Sequence, residues 1–207
     1  MTKVQKVGMC TECFELFPCT IQYDHDSFHM HFDPPNNTIH AYDPGMLNGK
    51  VLFTHACPTD QYGEEHDIVI LDQKIAEYIA KFNKLGYYTL YSCDGHRDYP
   101  SEQIGCLCSY VLFDGSISKA KKINLYSAYK YAMNHVTDTC TVLEGSSDES
   151  KHFKSVEKST YLGNRTRICI STDAELALNH DDFFENFEVY QDRFMSLLSY
   201  MIAYLED

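Results

Sequence analysis

The chain has 207 residues, an ordinary apolar share of 44% and no apolar run long enough to span a bilayer. Its start, "MTKVQKVGMC", lacks the apolar stretch of a secretory signal, so a soluble cytoplasmic protein is expected. The formal net charge is -13, and residues 172–207 carry nine Asp and Glu against Arg193 alone. Because phosphate contacts need Lys and Arg, that field disfavours direct nucleic-acid binding and suits a basic partner or plain solubility.

Residues 1–60 read as a Cys/His-rich β segment. "SFHMHF" (27–32) alternates Phe28, Met30 and Phe32 with His29 and His31, and "TIHAY" and "KVLFTH" add two short strands. "DPPNN" and "DPGMLNG" supply turn chemistry between them, giving a small meander. Nine cysteines in a reducing cytosol are metal ligands, buried small hydrophobes or reactive thiols rather than a disulfide framework. Cys10 and Cys13 have the two-residue spacing that lets one knuckle offer two thiolates to a tetrahedral ion. His55 and Cys57 offer a second pair, so a zinc-ribbon-like site on Cys10, Cys13, His55 and Cys57 is expected, with zinc as the cofactor. Cys19, His25 and His40 are substitutes for a member of that set. The alternative is that these residues are buried thiols and edge-strand histidines.

Residues 61–207 read as an α+β domain. The spacing of Ile68, Leu71, Ile75, Tyr78, Ile79, Phe82 and Leu85 predicts a helix over 67–85, capped by Asp67 and ended by Gly86. "YYTLYSC" and "IGCLCSYVLF" are the next strands. A second helix follows "DGS", with Ser116 as its cap and Leu125, Ala128, Tyr129, Ala132, Met133 and Val136 as its apolar stripe. "TCTVLE" and "RTRICIS" are two further strands. From about Asp182, Phe183, Phe187, Tyr190, Phe194, Leu197, Met201 and Tyr204 form a heptad-like seam on a long acidic helix. That seam lies across a sheet or joins a homodimer. The expected fold is α+β: a small β-meander with zinc-ribbon-like knuckles, then an αββαββα mixed sheet packed by helices.

"YSCDGH" (91–96) sets a thiol, a carboxylate, a glycine and an imidazole in four consecutive residues. Cys93, Asp94 and His96 are the candidate catalytic set, since a thiol needs a nearby base to act as a nucleophile. Ser92, Gly95 and Arg97 line the same turn. Ser116 and Lys119, at the start of the second helix, are candidate anion ligands because helix N-termini suit phosphate or carboxylate. An ordinary Asp-Gly hairpin corner and a solvated helix face are the plainer alternatives. Cys93 and His96 with Cys106 and Cys108 would make a second metal site.

The stretch "ILDQKIAEYIAKFNKLGYYTLYSCDGH", followed by "YVLF", resembles an uncharacterised family of small bacterial and phage proteins. Its members pair a Cys-rich N-terminal piece with a helix, a "GYxTxxSCxGH"-like strand and turn, and a further strand. The turn is also distantly similar to the wybutosine-synthesis methyltransferase family, whose "SSCSGR" follows a comparable helix and strand. Ser92, Cys93 and Gly95 map onto that turn, while Asp94 replaces a serine and His96 replaces the arginine. The likeness covers residues 67–113 and implies a ligand-facing turn without naming a reaction.

No Walker loop, dinucleotide fingerprint or His-Glu-x-x-His motif is present. The leading expectation is an intracellular zinc-containing binding protein of phage type. It would capture an anionic nucleotide-like small molecule or block a host defence protein. The alternatives are a hydrolase or transferase working through the SCDGH turn, and an acidic protein-interaction module.

Overall fold

A computed structural model describes residues 2–23, 28–32, 40–42, 54–56, 65–95, 109–136, 141–145, 167–172 and 185–207. They fall into two units, Met1–Ala80 and Lys81–Asp207.

The first unit is built on β1 (Thr2–Cys10), β2 (Leu16–Tyr23), β3 (Phe28–Phe32), β4 (His40–Tyr42), β5 (Thr54–Ala56) and β6 (Glu65–Asp72). They form one antiparallel sheet in the order β4-β3-β2-β1-β6-β5. β1 to β4 are a meander, and β6 returns to pair with the open edge of β1. Lys6 stands opposite Asp72 in that pairing, and its ammonium donates to the Asp72 carboxylate.

The helix expected over 67–85 is shorter and starts later. Residues 65–72 are strand, and α1 is Ala76–Lys84. The run from Ile68 to Leu71 contains three β-branched residues, which lose side-chain freedom in a helix and pack well on a pleated sheet. Ile68 and Leu71 matched a helical period by spacing alone. β2 carries Pro18, a residue that argues against a strand. It sits where the β3 ladder, which begins at Cys19, has not yet started.

In the second unit come β7 (Thr89–Cys93), β8 (Tyr110–Asp114), α2 (Lys119–Met133), β9 (Thr141–Gly145), β10 (Arg167–Thr172) and α3 (Phe187–Glu206). The element order from α1 onward is the expected αββαββα. The sheet, however, is antiparallel throughout, in the order β7-β8-β10-β9, and not mixed. β7 and β8 are sequence neighbours that pair directly, as are β9 and β10, so no parallel crossover arises.

α2 and α3 pack on each other, and α3 also meets β10. α2 buries Leu125, Ala128, Tyr129 and Ala132. α3 buries Phe187, Tyr190, Phe194, Leu197, Leu198 and Met201, so the predicted seam is covered within the chain. Tyr204, its last member, is exposed, and Phe183 lies outside the described residues. Phe82 of α1 meets Phe113 of β8 edge to face at 5.1 Å. No helix among the described residues is long and apolar enough to cross a membrane.

Gly86 ends α1 with φ at +77°. The Lys121 ammonium donates to the carbonyls of Leu85 (3.1 Å) and Gly86 (2.8 Å), offsetting the negative end of that helix. A Cβ at Gly86 would displace that ammonium. Gly86→Ala is therefore expected to cost about 1–2 kcal/mol in denaturant unfolding, from the left-handed backbone and the lost cap together. An unchanged midpoint would show that the Lys121 cap contributes nothing.

Candidate metal knuckle and thiol turn

The β1–β2 hairpin turns between Cys10 and Leu16. Phe14 N–H donates to the Cys10 carbonyl and Cys10 N–H donates to the Glu15 carbonyl, each at 3.1 Å. Phe14 is held at φ +59°, a conformation that costs a bulky residue roughly 1–2 kcal/mol. Strain of this kind persists where surrounding contacts fix it, and it concentrates at functional turns. Cys10 is fully buried and Cys13 half-buried, so one tight turn carries two thiols.

The strand register adds to the knuckle. β1 and β5 flank β6, with Cys10 opposite Ile68 and His55 opposite His66. Directly opposed residues share a face of a sheet, as do residues two apart on one strand. Cys10, His55 and His66 are thus register positions of one face at one end of the sheet. His66 was not recognised in the sequence, because only the β5–β6 pairing sets it opposite His55. Cys57 and His25 lie outside the described residues. Cys19 pairs with Lys6, and β4, which carries His40, is an edge strand, so neither belongs to the knuckle end.

The second feature is the turn after β7. Gly95 has φ +87° and its N–H donates to Cys93 Sγ at 3.3 Å. The Asp94 carbonyl accepts from Ser109 Oγ (2.7 Å) and from Gln191 Nε2 of α3 (2.6 Å). Asp94, Ser109 and Gln191 are all buried. Cys93 Sγ and an Asp94 carboxylate oxygen lie within 4.8 Å of one another, which puts two metal-capable donors side by side. A thiolate and a carboxylate this close would suit a cation between them. Ser92 Oγ is buried and has no hydrogen-bond partner among the described residues, a cost of about 1–3 kcal/mol if nothing else meets it.

Gln191 is the tie that fixes this turn. Gln191→Ala is expected to lower stability by about 1–2 kcal/mol and to loosen the turn. Faster alkylation of Cys93, read by mass spectrometry, is the measurement. An unaltered rate would show that the turn holds without α3.

His96, Arg97, Cys106 and Cys108 lie outside the described residues. Ser116 and Lys119 are exposed and stand apart from the turn. Cys93 pairs with Tyr110, whereas Asp114 N–H donates to the Tyr88 carbonyl, so the two features occupy opposite ends of one hairpin. Four residues of strand separate those ends, about 13 Å. Ser116 N–H donates to Asp114 Oδ1 at 2.8 Å, and the cap of α2 is Ser118, whose Oγ accepts from Lys121 N at 3.3 Å. These backbone donors at the start of α2 already have partners within the chain. The Tyr87 hydroxyl is pushed above its ordinary range by burial, with a hydrogen bond to Asn124 acting the other way. Comparison with family models, curated proteins and solved structures gives no match to this chain.

Proposed function

We propose that the protein is a zinc-containing binding protein that acts by docking on a partner, with the metal closing the β1–β2 knuckle. The observation that carries this reading is the C-x-x-C turn itself, with Phe14 held left-handed between two backbone hydrogen bonds. Cys10, Cys13 and His55 are three of the proposed ligands, and the fourth is Cys57 or the register neighbour His66. A thiolate-rich tetrahedral set favours zinc over harder cations. The metal's role here is structural, because it ties the hairpin tip to the far side of β6.

A partner protein is a better-supported target than a small anion, since the amides of Ser116 and Lys121 are engaged within the chain. The resemblance to bacterial and phage proteins makes a host protein the natural candidate. Protein purified without chelator is expected to carry about one zinc per chain by elemental analysis and native mass spectrometry. Absence of stoichiometric metal would sink the reading. His66→Ala and Cys57→Ala, compared for zinc content, identify the fourth ligand.

The buried Ser92 hydroxyl beside Cys93, which meets no partner among the described residues, favours a second reading, a hydrolase or transferase acting on a nucleotide-like substrate at the turn. Turnover of such a substrate, abolished in Cys93→Ser, would establish it.

A further inference from the structure

The last described turn of α3 carries Glu206 and Asp207 and no basic residue.

An exposed aromatic cluster lies beside that end. Tyr131 of α2 is 5.3 Å from Tyr204 and 4.3 Å from His135, ring centroid to ring centroid. His135 in turn stacks on Tyr200 at 4.9 Å. Tyr131, Tyr200 and Tyr204 each keep 38–39% of their surface open, while the neighbouring packing positions of both helices are buried. An open cavity of about 540 Å³ is lined by Asn124, Tyr131, Tyr204, Leu205 and Asp207. Asn124 is held by its bond to the Tyr87 hydroxyl. Lys130 of α2 lies over the Tyr126 ring.

We propose that this cavity docks an arginine side chain from a basic segment of a partner protein. The proposal rests on the reading of the chain as a binding protein, but not on its metal. Tyrosine faces attract cations through the ring quadrupole. A planar guanidinium can lie on such a face while its N–H groups reach a carboxylate, here Asp207, which a compact ammonium does less well. The exposed Glu206 carboxylate adds to that attraction, and the net charge of -13 steers basic segments toward the chain. The volume falls in the range of small-ligand sites, enough for a side chain and its flanking backbone.

The test is fluorescence anisotropy with three labelled peptides that differ only in carrying arginine, lysine or citrulline. Citrulline keeps the shape of arginine and removes its charge. The arginine peptide is expected to bind tightest and the citrulline peptide about tenfold more weakly, with lysine between. Tyr204→Leu and Asp207→Asn, both at exposed positions, should each weaken the arginine peptide by about threefold to fivefold. Glu188→Gln, an exposed acid in the first turn of α3, should leave it unchanged. Equal binding of arginine and citrulline, unchanged affinity in Tyr204→Leu, or an equal loss in Glu188→Gln would overturn the site. Protein that holds zinc yet shows no arginine preference loses this site and keeps the metal reading. Arginine preference that depends on Tyr204 in metal-free protein does the reverse.

Discussion

Cys13→Ser is expected to abolish the proposed zinc binding and to lower the melting temperature of the first unit by more than about 10 °C. Structural zinc in small peptides supplies about 10–16 kcal/mol of folding free energy. The six-stranded sheet has apolar contacts of its own, so a smaller share, at least about 3 kcal/mol, is expected to depend on the metal. In a unit of this size each kcal/mol moves the midpoint by about 4–8 °C. Cys13 is the position to change because it is half-buried, whereas Cys10 is fully buried and its loss would also disturb packing. Cys169→Ser, at a half-buried thiol of β10, is the control and should keep the zinc. A strong chelator should destabilise the parent protein and leave Cys13→Ser unaffected. Equal melting of the parent with and without chelator would show that the knuckle is a hairpin tip with no metal to hold.

The elements that could be read from sequence are those whose apolar period was unambiguous. The stripe Leu125, Ala128, Tyr129, Ala132 on α2 and the seam Phe187 to Met201 on α3 are buried as their spacing predicts. β7 to β10 coincide with segments dense in β-branched and aromatic residues. β6 failed because Ile68, Leu71 and Ile75 satisfy a helical spacing, although only Ile75 precedes α1 directly. The start of α2 failed for a different reason. Ser116 and Ser118 are equally good caps by composition, and the choice was made by Asp114, whose carboxylate takes the Ser116 amide.

The chemistry of the site was legible only where it is local. C-x-x-C and SCDGH announce themselves by spacing. Their supports do not: Ser109 and Gln191 reach the Asp94 carbonyl from 15 and 97 residues away. Lys121, two residues beyond the anion-ligand candidate Lys119, has a role that its position in the sequence does not show. The ammonium of Lys121 is used to cap α1, and it lies over the Tyr87 ring at 5.1 Å.

Phe194→Asp is expected to unfold the second unit at room temperature. Phe194 is fully buried, and Phe187, Tyr190, Leu197 and Leu198 of the same helix are buried with it. Removing a buried phenylalanine ring costs about 3–5 kcal/mol through lost transfer and the cavity left behind. A carboxylate placed there without a partner adds several kcal/mol more, because it must be desolvated or protonated. The sum falls within the 5–15 kcal/mol that holds a typical domain together, enough to unfold one of ordinary stability. Two companions separate packing from helix disruption. Phe194→Leu keeps an apolar side chain and should cost no more than about 3 kcal/mol. Val189→Asp, at an exposed position of the same helix, should stay within about 0.5 kcal/mol of the parent. Near-ultraviolet circular dichroism of the tyrosines and hydrogen exchange across residues 109–136 are the readouts, since α2 relies on α3 for the cover of its buried stripe. If Phe194→Asp keeps α2 protected and melts near the parent temperature, α3 is an appendage whose seam holds nothing. The Gln191 tie to the thiol turn would then fall with it, because a helix that does not pack cannot position an amide within 2.6 Å of the Asp94 carbonyl.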